Sequence, residues 1–151
     1  MEVLFVKSDL EFSLAWQNNL LKAIDEGKTG KEVFTYCAKY HYDKNNMDSI
    51  IENYIGDLYG FVSFLHENWG WTIHFLEDGK KMIIDETKDF CVCPVANILK
   101  QTGNDIPKSL CNCSEQFARN MFSKVIGKEV HTKVIRSMIR DGKSCIYEIN
   151  L

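Results

Sequence analysis

Proline is nearly absent from this sequence, at 2 of 151 residues, and glycine is sparse at 9. That scarcity excludes collagen-like and linker-rich chains and leaves few places for long irregular connections. Excess charge of one sign is also missing. Eighteen basic against 21 acidic residues give a net charge of −3, so nothing global favours nucleic acid or an anionic membrane. There is no run of about 18 apolar residues, the length needed to span a bilayer. The longest apolar-rich segment, 55–65, is interrupted by Gly56, Asp57, Gly60 and Ser63. The N-terminus, Met1 to Lys7, lacks a basic region followed by an apolar stretch of signal-peptide length, which predicts a cytoplasmic protein. No GxGxxG, Walker or GxSxG pattern occurs, and the four histidines (His41, His66, His74, His131) form no HExxH or HxxxH spacing.

What is present is an ordinary globular composition, 45% hydrophobic and 26% charged. A chain of this length buries roughly 68–70% of its unfolded surface, enough for one core. We read one domain, 1–151, with a helical part over 1–68 and a sheet and cysteine part over 69–151. A first helix capped by Ser8 or Asp9 runs to about Glu26, with Leu10, Leu14, Leu21 and Ile24 on one face and Gly27 as its stop. Thr29 and Glu32 form a capping-box pattern opening a second helix. A third helix from Asn46 or Asp48 carries a broad apolar face from Ile50 to Leu65.

The period then changes. Residues 71–75 alternate, 82–84 alternate less cleanly, and Asp78-Gly79 between them predicts a two-residue hairpin turn. Pro94 opens a short helix, and a further helix begins at Cys113 or Ser114, points Phe117, Met121, Phe122 and Val125 inward and stops at Gly127. Val130–Ile135 and Cys145–Ile149 form a closing hairpin. The fold class is α+β: N-terminal helices packed on a four-stranded antiparallel sheet made of two hairpins.

Four of the six cysteines form two matching pairs, Cys91-Val92-Cys93 and Cys111-Asn112-Cys113. In extended backbone, residues two apart face the same way, so the pairs together could offer a tetrahedral thiolate set for zinc. The spacing departs from the usual CxxC knuckle. Thiol chemistry is a second option, since Cys93 and Cys113 each precede a helix start whose dipole lowers a thiol pKa. Buried small hydrophobes are a third. Cys145, His74 and His131 could join the cluster from the strands, His74 or His131 as partner of a thiolate nucleophile. Trp69, Trp71 and Phe75 could line a pocket. Six cysteines without a secretion signal fit reduced thiols or metal ligands.

Residues 71–151 carry a hairpin, Cys91-Val92-Cys93-Pro94, Leu110-Cys111-Asn112-Cys113-Ser114, a helix, and a turn leading to Gly142-Lys143-Ser144-Cys145. This resembles uncharacterised bacterial families grouped around L-2-amino-thiazoline-4-carboxylic acid hydrolase and, more distantly, the 4-vinyl reductase-type ligand-binding domain. The resemblance implies a small-molecule or zinc-binding α+β domain, such as a sensor, with a cysteine-dependent hydrolase of a small sulfur heterocycle as the alternative. A structural or homodimerising domain with free core cysteines is a third reading.

Overall fold

The computed structural model describes residues 7–151; the reading of Met1 to Val6 lies outside the described residues. Five helices precede, surround or follow the first hairpin: α1 (Lys7–Asp25), α2 (Thr35–Lys44), α3 (Met47–Ile51), α4 (Leu58–Trp69) and, after strands β1 (Thr72–Leu76) and β2 (Lys81–Asp85), α5 (Pro94–Gln101). Then come α6 (Cys111–Ile126), β3 (His131–Arg136), the one-turn α7 (Met138–Asp141) and β4 (Ile146–Asn150). The sheet is antiparallel with order β1-β2-β4-β3. The fold is therefore α+β, with a four-stranded antiparallel sheet. None of the described helices is long and apolar enough to cross a membrane.

One face of the sheet is buried. Met82 and Ile84 on β2, Tyr147 and Ile149 on β4, and Thr132 and Val134 on β3 pack inward. α6 lies over this face with Ala118, Met121, Phe122 and Val125 buried, and α4 adds Phe61 and Leu65. A second apolar cluster joins Phe12 and Trp16 of α1 to Phe34, Cys37 and Ala38 of the α2 region, Val95 and Ala96 of α5, and Cys113 of α6.

Four local expectations are corrected. The inward face of α1 is Phe12, Trp16 and Ala23, whereas Leu10, Leu14, Leu21 and Ile24 are exposed. Thr29 makes no side-chain cap; a 3-10 turn over Gly30–Phe34 intervenes before α2. The third helix is broken: α3 passes through a 3-10 turn, Gly56 takes φ +79°, and α4 restarts with Asp57 Oδ1 accepting from Gly60 N–H at 2.9 Å. The hairpin connection is four residues, 77–80, because Leu76 pairs with Lys81, and Glu77, Asp78 and Gly79 all have positive φ.

Candidate functional site

The alternation of β2 does not stop at its end. Met82 and Ile84 face inward, and Glu86, two residues on, continues on that side, its N–H donating to the Cys145 carbonyl at 3.0 Å. Cys145 and Tyr147 hold the same parity on β4. The following segment, 86–93, has no regular structure and is pinned at its root: Asp85 Oδ1 accepts from Thr87 N–H at 2.8 Å and from the Ser144 hydroxyl, which in turn accepts from Lys88 N–H at 3.2 Å. Through Glu86, Lys88, Cys91, Val92 and Cys93 this segment lines a gap beside α6.

The gap is a cavity of about 460 Å³, within the usual range for small-molecule sites. Val134 and Tyr147 of the sheet form its floor, with Cys111, Ser114, Phe117 and Ala118 of α6 on one side. Trp69, Trp71, Phe12 and His41 add aromatic walls, and Cys91, Cys93, Cys145, Glu86 and Lys88 complete the lining. Trp69 and Trp71 meet edge to face at 5.1 Å, and Trp71 stacks on Tyr147 at 6.3 Å and 21°. His66 Nδ1, 2.8 Å from the Trp71 carbonyl, fixes the turn that carries both tryptophans.

Glu86 is the buried carboxyl group of the site, at 7% exposure. Tyr147 Oη donates to its Oε1 at 3.0 Å. Burial pushes the Glu86 pKa up, opposed by the Tyr147 hydrogen bond and by the Lys88 charge, while Asp85 adds to the rise. Burial, followed by the charge of Glu86, holds the Tyr147 phenol well above its ordinary value.

The two cysteine pairs differ in backbone and in surroundings. Residues two apart on a helix point about 200° apart, and α6 begins at Cys111, so the extended-backbone premise fails for the second pair. Cys111 Sγ donates to Ser137 Oγ at 3.3 Å on the cavity side. Cys113 turns into the second cluster and accepts from Trp16 Nε1 at 3.2 Å. Among the described residues, no group of three or more Cys, His, Asp or Glu side chains is placed to hold a metal ion. The four cysteines expected as zinc ligands thus lie in two settings, with Cys111 toward the cavity and Cys113 in the second cluster. His74 and His131 are also corrected: both are exposed on the outer face of the sheet, because their parity is opposite to that of Ile73 and Thr132. Trp71, Cys145, Cys91, Cys93 and Cys111 do come together around the cavity. Phe75 does not line it and packs on Tyr59 at 5.2 Å.

No family model, curated protein or solved structure matches the chain. The site is therefore read from its own chemistry.

The helix dipole does not win at the cysteines. Cys93 caps α5, yet burial pushes its thiol up to about 12 against the pull of the Ala96 and Val95 N–H groups. Burial also takes Cys145 to about 12, aided by Glu86, Cys91 and Cys111. Burial raises Cys91, with smaller additions from Cys111 and Glu86. A hydrogen bond with Cys37, then burial, raises Cys113. These thiols are protonated at neutral pH, and thiolate is the nucleophile. Alkylation by iodoacetamide at pH 7 is expected to be slow at Cys91, Cys93, Cys113 and Cys145, rising about tenfold per pH unit above pH 8. One of these four alkylated within minutes at pH 7 would overturn this. Linkage gives the matching stability effect. A folded pKa raised above the unfolded value near 9 leaves stability intact below pH 9 and removes it as pH rises toward 12.

Proposed function

We propose that this protein is a small-molecule-binding domain whose ligand occupies the cavity between α6, the sheet and the 86–93 segment. The observation that carries the reading is an aromatic-walled cavity holding a buried carboxylate and several thiols, the mix of apolar wall and few polar groups that marks ligand sites. The motif cysteines Cys91, Cys93, Cys111 and Cys145 all line this cavity. The cysteine-dependent hydrolase reading has less support, because the thiols raised by burial carry little thiolate. Six free thiols support a reducing, cytoplasmic setting.

The exposed stripe on α1 supports a homodimer. Leu10, Leu14, Gln17, Leu21 and Ile24 are spaced alternately by four and three, the seam of paired helices, with Gln17 as a polar position that fixes register.

Native mass spectrometry of protein purified without chelator under reducing conditions reads all three properties together. The expected result is a retained organic mass, no stoichiometric zinc and a dimer that L14E/L21E converts to monomer. Cys91→Trp, which fills the cavity from its irregular wall, is expected to abolish retention while the circular dichroism spectrum is unchanged. A bare chain that takes up no small molecule from a fragment library would overturn the binding reading. A zinc lost on acidification would restore the metal reading.

A further inference from the structure

Glu86 is more than 90% buried, and a buried carboxylate is costly unless its lone pairs are matched. Tyr147 matches one oxygen. Among the described residues, Glu86 Oε2 has no hydrogen-bond partner, yet the buried side-chain oxygens and nitrogens are all satisfied. The two facts are compatible only if Oε2 keeps some access, and the space that Glu86 lines is the cavity. The site thus holds an acceptor waiting for a donor inside an aromatic enclosure. Trp69, Trp71 and Phe117 line the same enclosure, and aromatic rings attract cations.

We infer that the ligand of this cavity is an organic cation, a protonated nitrogen base on a flat apolar body, whose N–H donates to Glu86 Oε2 beside the tryptophans. The inference rests on the cavity being the binding site. A neutral hydroxyl could donate as well, but only a cation also matches the carboxylate charge and the ring quadrupoles. An anion would face Glu86 with like charge in a low-dielectric site, where that repulsion is strongest. Tyr147 is a positioning residue: it fixes the carboxyl plane through Oε1 and leaves Oε2 directed at the ligand. Lys88 opposes the cation, because its ammonium lies near enough to lower the Glu86 pKa and so competes for the same carboxylate.

The test uses the full chain and three probes of one shape: 2-phenylethylammonium, 2-phenylethanol and phenylacetate. Affinity is read by two-dimensional amide NMR titration, with the cavity-lining signals reporting location. The expected result is that the amine binds at least tenfold tighter than the alcohol or the acid. Glu86→Gln is expected to erase that preference, bringing the amine down to the affinity of the alcohol. Lys88→Ala, a change at a partly exposed position that leaves the fold intact, is expected to tighten the amine a few-fold. Equal binding of all three probes at the cavity would overturn the cation assignment and leave the ligand-binding reading standing. So would an amine preference that survives Glu86→Gln, or amine binding that Lys88→Ala weakens. No shift of any cavity signal with any probe would overturn both.

Discussion

Phe122→Ala is expected to lower the unfolding free energy by about 3–5 kcal/mol. Phe122 is fully buried on α6 and meets Phe61 of α4 edge to face at 5.5 Å. The site cannot collapse easily. Met121 and Val125 of the same helix are also fully buried, and the sheet beneath is fixed by its ladder. The loss therefore combines the transfer free energy of the ring with a cavity left in a rigid neighbourhood, plus about 1 kcal/mol of aromatic pairing. Urea denaturation with an unchanged slope is the measurement. A loss below about 1 kcal/mol would mean that α6 is not the packing centre between α4 and the sheet.

The second large effect is at Glu115, a buried carboxylate on α6 that ties the helix to the edge strand. Its Oε2 accepts from Val134 N–H at 2.9 Å, and its backbone carbonyl accepts from the Thr132 hydroxyl at 2.9 Å. Lys31 closes the other oxygen at 2.7 Å. The lysine side chain is 60% exposed, so that ion pair contributes little by itself. The weight lies with Val134 N–H, which on an edge strand has no neighbouring strand to take it. Glu115→Ala is expected to cost about 3 kcal/mol, and Glu115→Gln, which keeps an acceptor, about 1 kcal/mol. Equal losses in the two variants would place the effect in the charge rather than in the hydrogen bond. Hydrogen exchange at the Val134 amide would show the difference directly.

Much of the fold was legible because period two and period 3.6 differ sharply in this chain. Residues 71–75 and 145–149 alternate and form strands or their approaches, Pro94 opens α5, and Gly127 ends α6 at φ +83°. The same alternation also reaches the site. Counting by two from Met82 reaches Glu86, an acid at an inward position, and counting by two from Trp71 leaves His74 on the other face. The α1 face was not legible. Two stripes of helical period compete there, one of leucines and isoleucine and one of Phe12, Trp16 and Ala23. The second is inward because its rings bury the larger area and Ala23 lets α1 approach closely. The setting of the cysteine pairs was not legible either. The pattern is symmetric in sequence, but one pair lies in irregular backbone before α5 and the other in the first turn of α6, so their geometry is unrelated.

The partition of the interior into two clusters has a consequence for how the molecule breathes. The cluster beneath α1 and α5 shares few side chains with the one that packs α6 on the sheet, and the cavity lies where they part. Opening of α1 and α5 as a unit therefore exposes Phe12, Trp16 and Val95 without disturbing the β2–β4 ladder. Proteins open in such contiguous units at free energies below that of global unfolding. Amides of α1 and α5 would exchange before those of β2 and β4, and that partial opening gives an occupant a route in and out while the sheet stays folded.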